Sequence, residues 1–504
     1  MQRYNNLIAG EEACNSYMKD VKDILSRDNR PIDAIISDLK EKSTTPPQWA
    51  ALKNVLYPKN HEIVEDTSGR PDKIIHTANG TRIEKAARIP VGLEELLVNR
   101  VNEFCFTLPV KREYEGADNE KLKMLVNAIE KVYEEADIDT VNIERGEAFF
   151  SCCEFFTLWY TVKKPHDRYG FHAEYKLKCK TYSPKDDDAE LYPLFDEYGD
   201  LIAFSIYYKV QKTEKEKVEY FETWTFDKHF KWRNDGSGWK DELYTIDGEG
   251  NKTYGDDIVI LKIPGIYAWR KDPLWKQGTP ELRKDSEYMH SRDSDVLAYN
   301  SAPVLQIAGE VKGSEPKGET RRVYRVENGG SVSYVSWNQS TEANDKHIQR
   351  DIDWFWMLNQ MPDISFKNLQ SLGSIGYDAR MMMFTDTFLR IGKEAKPLLQ
   401  AFRREGNVIK AFLKFISKET RFTDDEIDAV TIKYVLQPYI PKDEKYEIEK
   451  RVAANGGQPI ESQRESITRF GKSKDPDETI KEINEEGKAR QDSTIGSIFN
   501  EGAV

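Results

Sequence analysis

Cysteine is scarce in this chain, and its spacing excludes the usual cysteine-based sites. Five cysteines occur in 504 residues, and no two of them form a Cys-x-x-C pair. Their odd number and wide spacing indicate buried free thiols in a reducing compartment rather than a disulfide framework. Cys152 and Cys153 are adjacent in the apolar run 148–162, where we expect a strand to point them to opposite faces.

Long hydrophobic stretches are also missing. No run of 18 apolar residues occurs, and the first twenty residues contain no apolar core of the kind found in signal peptides. We therefore expect no membrane-spanning segment and no secretory signal.

Positive charge is in deficit. The chain has 74 Lys and Arg against 87 Asp and Glu, which gives a net charge of −13. Non-specific nucleic-acid binding depends on neutralising phosphates with cations, so strong DNA binding is disfavoured, whereas a surface that DNA only passes is allowed. Aromatic residues make up 11% of the chain, which argues against global disorder, and the length allows two or three domains.

Recognisable catalytic motifs do not occur. Residues 471–473 resemble the end of a phosphate-binding loop, but the glycine that opens such a loop is missing. Asp351 and Asp353 cannot share one face of a helix, and His290 and His347 are interpreted as solvated surface residues. The sequence therefore predicts no catalytic residues, no metal site and no cofactor.

The first half of the chain predicts helices followed by an antiparallel sheet. Helical spacing of apolar residues occurs within 11–58, from 92 to 106 and from 119 to 135. From about 147 to 263, alternating aromatic and β-branched residues between turn signals predict strands with one solvated face, the last of them at 257–264.

Two polar helices flank a short β-rich stretch. The helix predicted at 279–302 has a narrow apolar seam, formed by Leu282, Met289 and Val296. The helix predicted at 341–360 has a stripe of Ile348, Ile352, Phe355, Trp356 and Asn359, and Pro362 ends it. Glycine turns between the two helices predict short strands within 303–337. Spacing alone leaves open a solvent-exposed helix on a larger domain, while the sharper hypothesis is a helix packed against copies of itself.

A glycine-containing loop and a long helix follow. Residues 363–376 form the loop, and apolar residues then keep helical spacing from 377 to 417. Pro397 lies inside this helix, which predicts a kink near residues 393–397. A strand at 429–437 and a helical C-terminal region complete the chain.

The order of these parts resembles the tailed-bacteriophage portal protein family, in its siphovirus Gp6-like branch. The segments that carry the likeness are 99–113, 292–309, 324–340, 359–384, 441–457 and 475–486. Two of them depart from the family pattern: residues 107–110 lack its glycine, and residues 376–379 read Gly-Tyr-Asp-Ala where Ser-Gly-x-Ala is commoner. The likeness extends over roughly residues 85–490.

The resemblance implies an α+β portal fold that assembles as a ring. The implied parts are a wing of N-terminal helices and antiparallel β-structure (1–265), two stem helices (266–302 and 341–362), a small β-rich clip (303–340), a tunnel loop (363–376), a long kinked wing helix (377–420) and a helical crown (421–504).

The resemblance also implies roles for single residues. In the tunnel loop, Lys367, Asn368, Gln370 and Ser371 are expected beside passing DNA, although an ordinary flexible surface loop is the alternative. The expected hinges are Gly373, Gly376 and Pro397. Packing of the stem between subunits is assigned to Met289, Val296, Ile352, Phe355 and Trp356.

The function implied is that of a DNA channel at one capsid vertex. A homo-oligomeric ring, typically a dodecamer, would admit the genome during packaging, release it during ejection and attach the neck and tail. The expected partners are the terminase large subunit, a neck or adaptor protein, the major capsid and scaffold proteins, and double-stranded DNA bound non-specifically, with no membrane. The location is the virion, after assembly in the host cytoplasm. The alternatives are an adaptor or capsid protein and a phage enzyme acting on nucleic acid.

Overall fold

Helices and antiparallel strands alternate in blocks along the chain, which confirms the mixed α+β class. The computed structural model describes residues 21–26, 30–43, 49–65, 69–77, 80–185, 189–196, 199–211, 217–246, 252–300, 304–316, 322–326, 329–335, 342–363, 382–417, 422–438, 449, 462, 464, 465, 467 and 477–486.

Besides the helical residues 21–25 and 477–486 and a 3-10 turn at Pro58–Asn60, the helices are α1 (Ile32–Glu41), α2 (Trp49–Leu56), α3 (Glu62–Glu65), α4 (Leu93–Phe106), α5 (Glu120–Glu135), α6 (Ile138–Ser151), α7 (Thr279–Asn300), α8 (Glu342–Leu358), α9 (Thr385–Ile416) and α10 (Asp424–Ala429). The strands are β1 (Lys73–Thr77), β2 (Gly80–Glu84), β3 (Lys111–Glu115), β4 (Glu154–His166), β5 (Ala173–Tyr182), β6 (Glu190–Phe195), β7 (Leu201–Gln211), β8 (Lys217–Trp224), β9 (Lys228–Asn234), β10 (Trp239–Asp241), β11 (Tyr244–Ile246), β12 (Lys252–Tyr254), β13 (Asp256–Asp257), β14 (Gly265–Trp269), β15 (Val304–Ala308), β16 (Val311–Pro316), β17 (Arg322–Val326), β18 (Ser331–Val335) and β19 (Thr431–Val435).

The largest sheet carries an N-terminal helix on one face. Its strands follow the order β10-β9-β8-β7-β6, and β13 also pairs with β9. Helix α1 buries Ile35 and Leu39 in a cluster with Phe221 and Trp232 of the sheet. The apolar residues of α1 recur at helical spacing while those of the strands alternate, so each element presents one apolar face to the other.

The main core lies between a three-stranded sheet, β14-β4-β5, and the helices α4, α5, α6 and α9. Here two predictions were wrong. Helix α6 continues to Ser151, so Cys152 and Cys153 lie in the turn before β4 rather than on a strand, and Cys153 has φ 70°. The strand predicted at 257–264 is also wrong, because β14 at Gly265–Trp269 is the strand that pairs with β4. A continuous apolar run does not distinguish a buried strand from a buried helix end.

Helix α9 extends over 32 residues and includes Pro397 without ending there. Beside it, β19 pairs antiparallel with β3, so residues up to 438 pack with the N-terminal part of the chain. By contacts, the division between the two units of the chain falls at 439–440. Gly406 permits this packing, because a Cβ there would lie 2.5 Å from the Tyr434 hydroxyl oxygen.

A buried ion pair joins α6 to α9. Arg145 is fully buried, and its guanidinium donates to both carboxylate oxygens of Glu405. The Trp159 indole N–H donates to Glu405 Oε1 at 2.8 Å, and Arg145 Nε donates to Thr157 Oγ1 at 2.9 Å. Full hydrogen bonding is what makes two buried charges tolerable in a core.

A second buried carboxyl predicts a pH dependence of stability. Glu154 is 6% exposed, and burial raises its pKa to about 8, although the Tyr267 hydroxyl donates to it at 2.7 Å. Because the folded pKa lies above the unfolded one, the stability that protonated Glu154 contributes is present below about pH 4.5 and is lost as the pH rises toward 8. Glu154→Gln keeps the uncharged shape. We expect it to raise the free energy of unfolding at neutral pH by on the order of 3 kcal/mol and to change it little near pH 4.5. Urea denaturation at the two pH values measures this difference, and an equal effect at both would contradict it.

Four short strands occupy the stretch between α7 and α8, where glycine turns predicted them. They form two antiparallel pairs, β15 with β18 and β16 with β17. The described residues separate by contacts into the unit already presented and a smaller one, formed by 372–382 and 440–504. In the smaller unit, residues 477–486 are helical, and Arg464 pairs with Asp477 at 3.0 Å. No helix in the described ranges has both the length and the apolar content required to cross a bilayer.

Candidate functional site: the helix pair α7 and α8

Helix α7 precedes the four short strands in the chain and α8 follows them, and the two helices run antiparallel to each other. Near one end, Asn344 Nδ2 donates to Asp293 Oδ1 at 2.6 Å. Further along, His347 Nε2 lies 2.7 Å from Asp285 Oδ2. In these contacts the residue number falls on α7 as it rises on α8. The two helices therefore form a hairpin, and the four strands belong to the segment that connects them.

The buried face of α7 is polar, which the apolar seam did not predict. Leu282, Met289 and Val296 are only half-buried. The buried side chains are instead those of Thr279, Arg283, Ser286, Glu287, Ser291 and Asp293. Buried polar groups need hydrogen-bond partners, and Arg283, Glu287 and Ser291 obtain them from residues about two hundred positions earlier in the chain.

A ladder of hydrogen bonds joins α7 to the segment 85–92, which connects β2 to α4. The ladder runs from Ala87 N to Asp295 Oδ1 (2.8 Å), from Ile89 N to Ser291 Oγ (2.9 Å) and from Val91 N to Glu287 Oε1 (2.8 Å). The acceptors are four residues apart on the helix, a rise of about 6.0 Å, and the donors are two residues apart on the extended segment, a rise of about 6.6 Å. Donors and acceptors therefore stay aligned along the whole ladder. Pro90 lies between two donors, at a position where no N–H is required.

Below the ladder, four charged or titratable groups form a closed cluster. Arg283 Nε donates to Glu94 Oε1 at 3.0 Å, and Arg283 Nη1 donates to Glu287 Oε2 at 2.5 Å. His61 Nδ1 lies 2.5 Å from Glu287 Oε1. All four residues are at most 2% exposed. Burial raises the pKa of Glu94, and the neighbouring guanidinium of Arg283 opposes that rise. Arg283 is thus the cation that two buried carboxyl groups depend on.

The apolar part of α8 is buried within the same subunit. Phe355 and Trp356 are 0% and 4% exposed, and the Arg100 guanidinium carbon lies 4.2 Å from the centre of a Trp356 ring. Asn359 is buried, and its Oδ1 accepts a hydrogen bond from Lys276 N at 3.0 Å. Ile352 is half-buried beside this group. The structure therefore places Phe355 and Trp356 in contacts inside one chain, whereas the sequence had assigned them to contacts between subunits.

This burial makes Trp356→Ala a test of the packing. We expect the substitution to lower the free energy of unfolding by about 3–5 kcal/mol, because it removes a large buried side chain and leaves a cavity. Thermal or urea denaturation measures the change. Ile246→Ala is the control, since Ile246 is 58% exposed and lies outside the helix pair. Equal losses in the two variants would contradict the assignment.

An exposed apolar surface remains on the helix pair. On α8 it consists of Trp354, Met357 and Leu358, which are 46%, 58% and 43% exposed. On α7, Tyr288 and Leu297 are 46% and 53% exposed. Side chains three and four positions apart lie on one helix face, so the α8 group is a continuous patch. The exposed patch could have been predicted from the sequence run Trp-Phe-Trp-Met-Leu, because five consecutive apolar residues cover every side of a helix and cannot all be buried.

Most of the predicted loop residues lie outside the described part of the chain. These are Lys367, Asn368, Gln370, Ser371, Gly373 and Gly376. The third expected hinge, Pro397, lies within α9.

The buried thiols are unsuited to nucleophilic chemistry. Burial raises the pKa of Cys105, Cys152 and Cys153 to about 12, so these thiols stay protonated at neutral pH. A thiolate is the reactive form of cysteine. These three residues therefore act as small apolar groups in the core.

A family model matches most of the chain. The family model described as "Phage portal protein, SPP1 Gp6-like" matches residues 41–493. No curated protein matches the chain. A chain from the virion of a native gene transfer agent (GTA) particle has 10% identity and a TM-score of 0.34, over 84% of this chain and 94% of that one. A chain from the neck of the native GTA particle computed with C12 symmetry has 10% identity and a TM-score of 0.35, over 85% and 95%.

Proposed function

The chain belongs to the phage portal protein family of the SPP1 Gp6-like type, and from that membership we propose that its copies close into a ring whose stem conducts the genome. It is a portal protein of the virion, and DNA packaging and genome ejection are the roles that fit its family. Portal proteins are structural, and we propose that the chain has no catalytic activity.

The proposal depends on the two different surfaces of the helix pair. Buried polar contacts anchor α7 to the body of the subunit, while an apolar patch on α8 faces outward. A head-to-tail contact between unlike surfaces generates a ring when its rotation closes. We propose that Trp354, Met357 and Leu358 of one subunit pack on the α7 face carrying Tyr288 and Leu297 of the next. Met289, Val296 and Ile352 are half-buried in the single chain, which leaves them surface for the same contact.

The charge of the helices supports a conduit rather than a DNA-binding site. Helix α7 has five acidic and three basic residues, and α8 has four acidic and two basic residues. A stem of such helices would retain few phosphates, so DNA would slide through it with little friction. The loop 363–376 supplies one positive charge, Lys367, between Ile364 and Gly376. We propose that Lys367, Asn368, Gln370 and Ser371 steer the duplex, with Gly373, Gly376 and Pro397 as hinges.

The remaining parts follow the family plan. The ring would be a dodecamer, with residues up to 265 and α9 in the wing. The clip at 303–340 would bind the terminase large subunit and later the neck adaptor. The C-terminal region after residue 439 would form the crown, facing the capsid and scaffold proteins.

A charge reversal in the loop tests the conduit. We expect Lys367→Glu to leave ring assembly intact and to shorten or abolish DNA packaging, because it places a like charge beside passing phosphates. The measurement is the length of DNA protected from nuclease in a packaging reaction with the cognate terminase and procapsids. Lys217→Glu, an equal charge reversal at an exposed site in β8, is the control and should package normally. Full-length packaged DNA in the Lys367→Glu variant would contradict the role of the loop.

A further inference from the structure

Three groups with metal-ligand chemistry meet between α7 and α8. Asp285 projects from α7, while His347 and Asp351 lie one turn apart on α8. One ligand atom from each residue lies within 4.8 Å of the other two. Within the described part of the chain, this is the one such group of His, Cys, Asp or Glu.

The His347 ring stands between the two carboxylates. Its Nε2 lies 2.7 Å from Asp285 Oδ2 and 3.6 Å from Asp351 Oδ2. Two carboxylates that face each other repel unless a cation or a proton lies between them.

Asp351 supplies an independent indication of a ligand. Its side chain is 8% exposed, and no hydrogen bond reaches its Oδ2 atom. A buried carboxylate oxygen without a donor is costly, so a native structure normally provides a partner. Of the two Asp351 carboxylate oxygens, Oδ2 is the one that faces His347 Nε2, at 3.6 Å, so it points into the group.

We propose that Asp285, His347 and Asp351 bind a divalent transition-metal ion of the Zn²⁺ type, which joins the two helices of the stem. Imidazole nitrogen and carboxylate oxygen are ligands that Zn²⁺ accepts at about 2.0–2.2 Å. Donor atoms of a tetrahedral site are then about 3.4 Å apart. Asp285 is exposed and can adjust its position to meet this spacing. Three protein ligands leave a fourth position for water.

Arg350 competes with the metal in this arrangement. Its guanidinium donates to His347 Nδ1, so the ring proton lies on Nε2 and points at Asp285. Metal binding through Nε2 requires that proton to leave this nitrogen, and Nδ1 then becomes the protonated nitrogen. Arg350 must therefore release Nδ1, which its exposed position allows. Removing the Arg350 guanidinium should strengthen metal binding.

Isothermal titration of the full-length protein with ZnCl₂ tests the site. We expect one Zn²⁺ per chain and a higher melting temperature in its presence, because the metal binds the folded form. His347→Ala and Asp285→Asn should each weaken binding about 100-fold or more, whereas Arg350→Ala should tighten it several-fold. His290→Ala is the matched control, since His290 is an exposed histidine on α7 away from the group, and its binding should equal that of the unaltered chain.

Two results would overturn the site. The first is no Zn²⁺ binding to the unaltered chain, with Asp285→Asn raising the melting temperature; the two carboxylates then only repel or share a proton. The second is Zn²⁺ binding that His347→Ala leaves unchanged. Ring assembly is read separately, by mass, so either result leaves the proposed portal function standing.

Discussion

Arg283→Ala is expected to lower the free energy of unfolding by about 3–5 kcal/mol, which is the loss typical of a buried charge left without its partner. Arg283 is 2% exposed and donates to Glu94 and Glu287, which are 0% and 1% exposed. Without the guanidinium, both carboxyls would have to take up protons or admit water. The contacts that hold α7 against the segment containing Glu94 would then weaken. Urea denaturation of the purified protein measures the loss.

Arg292→Ala is the control for that substitution. Arg292 lies on the same helix but is exposed, so its loss should change stability by less than about 0.5 kcal/mol. A double substitution of Arg283 with Glu287, each by an uncharged residue of similar size, should recover part of the stability, since it removes both members of a pair. An Arg283→Ala variant as stable as the Arg292→Ala variant would show that the cluster does not anchor the helix.

The second large effect concerns assembly. Trp354→Asp combined with Met357→Asp is expected to convert the ring into folded monomers of 58.4 kDa. Both side chains lie on the exposed patch of α8, at 46% and 58% exposure. Charges there would have to be desolvated at every contact of the ring, and the cost is repeated in each subunit. Light scattering after size-exclusion chromatography gives the mass, and circular dichroism establishes that the chain is still folded.

Ile246→Asp is the matched control for assembly. Ile246 is 58% exposed on β11, outside the helix pair, and its replacement should leave the mass of the ring unchanged. A ring of unaltered mass in the Trp354 and Met357 variant would exclude this patch as the contact between subunits. Loss of folding in that variant would instead show that the patch stabilises the single chain.

The helix pair shows how far the sequence leads. Apolar spacing and Pro362 predicted α8 to within a few residues, and Phe355, Trp356 and Asn359 are buried as their common stripe indicates. Local periodicity contains this information because a helix repeats every 3.6 residues. The family resemblance, which depended on the order of the parts, is confirmed over residues 41–493.

The same pair also shows what the sequence does not contain. The polar face of α7 is buried against residues 87–94, and that contact depends on how the chain returns after roughly two hundred residues. The pattern Glu287, Ser291 and Asp295 has helical spacing but no apolar character, so it predicts a solvated face. Likewise, helical spacing allows Asp351 to be compared only with residues of its own helix such as Asp353, whereas the carboxylate that lies near it, Asp285, is on α7.

Electron microscopy of the purified full-length protein shows whether its copies close into a ring. We expect rings of identical subunits with an open centre wide enough for a DNA duplex. A population of monomers, or of closed assemblies without a central opening, under conditions in which the protein is folded, would contradict it.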